Sequence, residues 1–252
     1  MNGMSRRRLV RGALAAAAGA SGLAVAARIA ARHGLIPPDH GGLYGIGETL
    51  TYASQRLLTS HSAAREFPRS AISKQPFPNP VAPPNEEFKR LAAGGFADWR
   101  LEVGGMVARP LSLSLAGLKR LPAGSQITQV ACEEGWSYVA EWTGTPLVEV
   151  LHAAGILPAA RYVVYFSLER GWWDSIDMAD ALHPQTLLTY GMNGGELPVN
   201  FGGPLRMRVP RQLGYKSVKY INRLVVTDSL KPFGNGLGSA AAGGGYAWYA
   251  GI

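Results

Sequence analysis

Cysteine occurs once in this 252-residue chain, at Cys132, and histidine only five times. A single cysteine excludes an intrachain disulfide, and with five scattered histidines it offers neither zinc nor iron–sulfur spacing. A Cys-x-x-Cys-His haem attachment is missing too. Glycine is plentiful, yet Gly41-Gly42-Leu43-Tyr44-Gly45 has no strand before it and no periodic helix after it, and no Walker lysine and hydroxyl pair exists. Nicotinamide and nucleoside triphosphate chemistry are therefore not expected. No Lys/Arg stripe interleaves with aromatics, so nucleic acid is not an expected partner. The longest apolar run, Gly12 to Ala27, has 16 residues, short of the roughly 20 that cross a bilayer.

Acidic residues are absent from the first 32 positions, which carry Arg6, Arg7, Arg8, Arg11, Arg28 and Arg32. Those six charges leave only +2 of the +8 net charge to the rest of the chain. The basic balance is thus mostly a targeting signature. Ser5-Arg6-Arg7-Arg8-Leu9 followed by a weakly hydrophobic, Ala-rich stretch resembles a twin-arginine export signal, which implies a periplasmic or other extracytoplasmic location. Ala24-Val25-Ala26 and Ala26-Ala27-Arg28 are both fair cleavage sites, and a retained signal would associate the chain with the membrane.

After this signal (1–32) the chain divides into an irregular arm (33–98), a core (99–230) and a Gly/Ala-rich tail (231–252). Pro37-Pro38 and Pro76, Pro78, Pro80, Pro83 and Pro84 predict no long regular element in the arm beyond a short helix over 86–93. In the core, Trp99, Leu101 and Val103 alternate with Arg100 and Glu102 as a half-buried strand stopped by Gly104-Gly105. Strands are expected over 127–131, 162–168, 205–209 and 221–227, and helices over 114–118, 146–154 and 177–182. Strands and short helices without even βαβ spacing predict an α+β fold. The tail, despite Tyr246, Trp248 and Tyr249, is expected to fray.

On residue type alone, Cys132 is core filler or a nucleophile for a histidine such as His152 or His183. Its surroundings carry more information. Ala131-Cys132-Glu133-Glu134-Gly135-Trp136-Ser137 and Trp142-Thr143-Gly144-Thr145-Pro146-Leu147 are followed by Leu187-Leu188-Thr189-Tyr190-Gly191-Met192-Asn193-Gly194-Gly195-Glu196-Leu197-Pro198. Then come Gly203-Pro204-Leu205-Arg206-Met207-Arg208-Val209-Pro210 and Gly214-Tyr215-Lys216-Ser217-Val218-Lys219-Tyr220. In this order the segments resemble the sulfite oxidase family of molybdopterin-dependent oxidoreductases, including the bacterial periplasmic methionine sulfoxide reductases.

The resemblance implies a sulfite oxidase-type α+β fold with mixed sheets and short helices. It also implies one molybdenum-molybdopterin per chain, with Cys132 as the thiolate ligand, a soft anionic donor suited to the metal. Arg206, Lys216, Ser217, Lys219 and Asn193 would bind the pterin and its phosphate, and Tyr190 would face the metal oxo groups. The expected activity is two-electron oxygen-atom transfer on a small or protein-borne S-oxide, N-oxide or related substrate. A non-catalytic pterin-binding or scaffold subunit of a membrane-associated redox complex is the alternative.

Departures from the family pattern narrow this. Sulfite oxidases place arginines around the cysteine, where this chain has Thr128, Gln129, Val130, Glu133 and Glu134, so a sulfite trap is not expected. Ala71 in Phe67-Pro68-Arg69-Ser70-Ala71 stands where the family has histidine, and Asn200-Phe201-Gly202 lacks the family's histidine before glycine. A following immunoglobulin-like domain is not expected from the residues after 230. With no haem site of its own, the chain is expected to exchange electrons with a separate protein, a cytochrome or haem-containing membrane subunit.

Overall fold

The computed structural model describes residues 34–40, 42–79 and 85–252, with positions 19, 22, 24–25 and 27–30 besides. The arginine pair Arg6-Arg7 and the rest of the export motif lie outside the described residues.

In chain order the elements are α1 (Ile46–Leu58), α2 (Glu86–Ala93), β1 (Arg100–Gly105), β2 (Leu111–Ser114), α3 (Leu115–Leu118), β3 (Gly124–Ala131) and β4 (Ser137–Pro146). They continue with α4 (Leu147–Ala154), β5 (Tyr162–Ser167), β6 (Trp173–Asp177), α5 (Met178–Ala181), β7 (Leu187–Met192), β8 (Gly195–Glu196), β9 (Arg206–Arg208) and β10 (Ile221–Thr227). Two sheets form. One runs β2-β1-β10-β5-β6, with β1 and β10 parallel and its other pairs antiparallel. The other runs β3-β4-β7-β8, with β9 also paired to β7. Mixed sheets with short helices are the α+β architecture expected.

Local chemistry explains most elements. In β1 the side chains of Leu101 and Val103 are buried while Arg100 and Glu102 point out, the alternation that a strand with one covered face imposes. Ser114 caps α3 by accepting from Gly117 N, Asn85 caps α2 by accepting from Phe88 N, and Asp177 caps α5 by accepting from Asp180 N. The α4 helix buries Leu147, Val150, Leu151 and Ala154 in the main core, with Val163, Tyr165, Leu224 and Val226 of the first sheet. Each buried aliphatic side chain there stabilises the fold by roughly 1.5–3 kcal/mol. Strands β4, β6 and β7 have no counterpart among the strands expected. Strands β6 and β7 are buried almost throughout, so tertiary burial rather than alternation defines them, whereas β4 buries alternate residues such as Tyr138, Ala140 and Trp142.

Two expectations are corrected. The arm contains the 13-residue α1, although its prolines predict no long element. Its helical stretch lies between the proline clusters, and tertiary contacts hold it: Arg56 pairs with Asp177 and Asp180 at 2.7 and 2.6 Å. The tail does not fray at its aromatics. Trp248 and Tyr249 are buried with Tyr52, Tyr162, Val164 and Leu230 in a separate core. Backbone N–H groups of Trp248 and Tyr249 donate to Asp39 and Glu48, and Trp248 Nε1 donates to Ser175 Oγ at 2.9 Å. Arm and tail thus hold one another over the outer face of β5 and β6.

Candidate active site

Cys132 follows directly on β3, at the tip of the hairpin that leads into β4. Its N–H donates to Trp136 O at 3.0 Å, and Gly135 N donates to Cys132 O at 3.1 Å. Gly135 has φ +89°, a conformation that glycine adopts without strain, so this five-residue loop closes tightly. Glu134 folds back over the thiol: its Oε2 lies 3.9 Å from Cys132 Sγ and accepts from Trp136 Nε1 at 2.7 Å.

The thiol faces a cavity of about 250 Å³ whose walls include Glu133, Glu134, Trp136, Arg206, Ser217 and Lys219. Arg206 and Arg208 stand two residues apart on β9 and so share a face of that strand. Arg206 Nε donates to Ser217 O at 3.0 Å and Nη1 to Phe201 O at 3.1 Å. Arg208, fully buried, donates to Ser217 Oγ and Thr128 Oγ1, both at 3.3 Å, and to Gln129 O, while its Nε has no partner among the described residues. Both guanidinium carbons lie near the Trp142 ring, 5.4 and 5.5 Å from its centroid. Lys219 Nζ donates only to carbonyls: Asn200 O at 2.7 Å, Pro78 O at 2.5 Å and Asn79 O at 3.2 Å. Gly202, at φ +112°, lets the chain pass this lysine, since a Cβ there would sit 2.9 Å from Lys219 Cβ.

Among the described residues no carboxylate pairs with Arg206, Arg208 or Lys219. Their titration reflects this. Burial and then the Arg206 charge hold Arg208 down to about 9 and Lys219 down to about 7. Burial first, then the charges of Glu133 and Glu134, push the Cys132 thiol up to about 11 against the lowering hydrogen bond from the Glu134 backbone. The cavity therefore combines one soft sulfur beside Glu133 and Glu134 with Arg206 and the half-buried Lys219, where Glu169 also lines the wall and acts on Lys219 without forming an ion pair. Among the described residues no three His, Cys, Asp or Glu side chains gather as a metal cage.

Of the residues singled out from sequence, the structure brings Cys132, Arg206, Ser217 and Lys219 to this cavity. It places the others elsewhere. Lys216 is fully buried and turned to Asp174, with Nζ 2.6 Å from Oδ1, and donates to Ser175 O at 3.0 Å. Asn193, at φ +51°, forms the β7–β8 turn and accepts from Glu141 N at 2.9 Å. Tyr190 lines a separate groove with Lys119 and Thr143. Sequence reasoning missed Arg208, Tyr215 and Tyr246 as site residues. Two arginines at i and i+2 in an otherwise apolar strand were a usable signal for Arg208. Nothing local marks Tyr246, which comes from the tail to line the cavity beside Glu133 and pack edge-on against Tyr215, ring centroids 5.0 Å apart.

Comparison with known proteins agrees with this geometry. A family model described as "Oxidoreductase molybdopterin binding domain" matches residues 90–232. A putative protein-methionine-sulfoxide reductase subunit YedZ1 of Azospira oryzae is 39% identical over 173 residues, covering 69% of this chain and 64% of that protein. The protein-methionine-sulfoxide reductase catalytic subunit MsrP of Xanthomonas axonopodis pv. citri is 38% identical over 138 residues, covering 49% of this chain and 43% of the relative. The chain thus spans about half to two-thirds of the length of these curated relatives. Among solved structures, the sulfane dehydrogenase SoxCD of Paracoccus pantotrophus superposes with a TM-score of 0.50 at 20% identity, over 68% of this chain and 47% of that one, a likeness of fold. With more than half its length matched by the family model and its fold shared, this chain belongs to the sulfite oxidase-type family of molybdopterin-binding oxidoreductases.

Proposed function

We propose that this chain is a molybdenum-molybdopterin oxidoreductase that removes oxygen from neutral S-oxides or N-oxides, with electrons delivered by a separate cytochrome or haem-containing membrane subunit. One observation carries the reading: a lone soft sulfur opens onto a cavity lined by Arg206 and Lys219, with Arg208 buried beside Arg206, and none of the three forms a salt bridge with a carboxylate among the described residues. Buried cations without counter-charge are costly unless an anion completes them. The terminal phosphate of a pterin is such an anion, and guanidinium groups suit it. Cys132 would hold the metal as thiolate, since coordination deprotonates a thiol that burial otherwise keeps protonated. When bound, the group supplies two-electron oxygen-atom transfer.

The protein's own residues set the rest. Ser217 bonds Arg208 and Val209 N through its hydroxyl and accepts from Arg206 through its carbonyl, so it orients both guanidiniums. Lys216 and Asn193 act on the site through structure, the first by fixing the turn that carries Ser217, the second by tying β7 to β4. Tyr138, Tyr215 and Tyr246 line the Cys132 cavity while Tyr190 lines a separate groove, and, with the Tyr215 hydroxyl donating to Ala247 O, we assign to Tyr246 the proton-handling position that the family resemblance gave Tyr190. Glu133 and Glu134 line the cavity, so the potential at the thiol opposes a dianion such as sulfite and admits a neutral oxide. Reduction of an S-oxide takes two electrons and two protons and releases water. The relatives named as protein-methionine-sulfoxide reductases act in this sense.

Protein exported from a molybdenum-replete host tests the reading. About one molybdenum per chain is expected by elemental analysis, falling at least tenfold in Cys132→Ser along with sulfoxide turnover, because a hydroxyl is a poor substitute for a thiolate. A well-folded, metal-free wild type would instead identify a scaffold subunit. The extracytoplasmic location is tested by fractionating cells that express Arg6→Lys, Arg7→Lys protein, which should remain in the cytoplasm.

A further inference from the structure

A second cavity, of about 690 Å³, adjoins the first and shares Glu133, Tyr215 and Tyr246 with it. Its other walls come from the arm and the tail: Tyr44, Gly47 and Thr51 on one side, and 244–250 on the other. Most of this surface lies outside residues 90–232, the part that the family shares. The space is within the range of about 300–1,000 Å³ typical of ligand sites.

The walls are preorganised. Tyr44 OH donates to Gly245 O at 3.2 Å, Tyr215 OH to Ala247 O at 2.6 Å, and Tyr249 OH to Gln55 Oε1 at 2.6 Å. With their hydroxyls engaged, these tyrosines offer rigid ring surface. Between them lie glycine and alanine backbone, a combination that suits adaptable contact with another chain. The charged lining residues are both acids, Glu48 and Glu133, and no Lys, Arg or His lines the cavity among the described residues. Glu48 Oε1 accepts from Tyr249 N, while its Oε2 is buried with no partner among the described residues. Burial raises the Glu48 carboxyl above the usual carboxylate range, so the acidic character of the groove rests chiefly on Glu133, opposite in sign to Arg206 and Lys219 in the Cys132 cavity.

We propose that this cavity docks the polypeptide flanking a protein-borne S-oxide, taking a neutral-to-basic segment along the arm–tail groove and presenting the oxidised side chain past Tyr215 and Tyr246 to Cys132. This rests on the reductase reading above and names its substrate as peptide rather than small oxide. The groove supplies binding to the flanking chain, and the Cys132 cavity supplies the chemistry. Peptide affinity is then separable from the reaction.

Gly47→Trp probes it. A Cβ at Gly47 meets nothing within 4 Å, so a bulky side chain can fill the groove without displacing backbone. Thr51→Trp, one helical turn further along α1, is the second variant, and thermal melting checks that both fold. The substrates are a lysine-flanked peptide with one methionine sulfoxide, its glutamate-flanked counterpart, and dimethyl sulfoxide. In metal-replete wild type the lysine-flanked peptide should be used best, and both variants should lower the ratio of its kcat/KM to that of dimethyl sulfoxide by about tenfold or more. Calorimetric titration of the peptides should show the same loss of affinity and the same preference for lysine, with or without turnover. An unchanged ratio and unchanged affinity in folded variants would overturn the groove while leaving the reductase reading intact. No reduction of any sulfoxide would overturn the reductase reading, and the titration alone would then decide whether the groove binds peptide.

Discussion

Arginines are buried in two places in this protein, and what stands opposite them differs. Under α1, Arg56 and Arg211 face Asp177 and Asp180, with Arg56 Nε 2.7 Å from Asp177 and Arg211 Nη1 3.2 Å from Asp180. Gln212 Nε2 adds a bond to Asp180 Oδ2 at 2.6 Å. Below Cys132, Arg206 and Arg208 face carbonyls, hydroxyls and an indole ring. The first cluster is neutral by itself and fastens the arm to the core. The second carries charge that only a further, anionic group can offset. Equal burial thus marks a structural clip in one case and, on the function proposed here, the anion site of the cofactor in the other, and the counter-charge separates them.

The sharpest way to break this comparison is to unbalance the clip. Asp180→Ala leaves Arg56 and Arg211 buried against a single acid, and loss of about 3–5 kcal/mol is expected in denaturant unfolding. A loss under about 1 kcal/mol would mean that the clip is not what holds the arm.

Arg208→Met should act in the opposite direction in cofactor-free protein. Removing a buried cation that has no acid opposite is expected to raise stability by about 1 kcal/mol, within the range for replacing buried charge by an apolar side chain. The same variant should lose most of its molybdenum during purification. Destabilisation of the cofactor-free form, with metal content unchanged, would make Arg208 a structural residue like Arg56.

The smallest effect concerns pH. Burial holds Lys219 down to about 7 in the native protein, while an unfolded chain keeps an ordinary lysine near 10.4. Between about pH 7 and 10 the unfolded state therefore binds the extra proton, so this residue makes stability rise with pH across that window. Below pH 7 both states are charged and the burial cost is fully present. The difference between cofactor-free wild type and Lys219→Met, followed by thermal melting from pH 6 to 10, should narrow as pH rises. A constant difference would show that Lys219 keeps an ordinary affinity for its proton.

Much of the core was legible in advance. Strands β1, β3, β5 and β10 and helix α4 follow from alternation, β-branched content and caps, which act within a few residues of the chain. Cys132, Arg206, Ser217 and Lys219 were recognisable through ordered motifs and do meet at one cavity. Lys216 shows the limit of that approach. Its place in a motif suggests a ligand contact, yet Asp174, distant in sequence, claims its ammonium.

By itself, then, the sequence determined the α+β core and the family, because local propensity and motif order are carried by neighbouring residues. Only the tertiary structure decided which cations lack a partner, since neutralisation depends on groups such as Asp174, Asp177 and Asp180 that the chain brings from far away. It also decided that arm and tail become walls rather than loose ends. Helix α1 and the Gly/Ala-rich tail carry weak signals separately, and they gain order by burying Tyr52, Trp248 and Tyr249 together against β5.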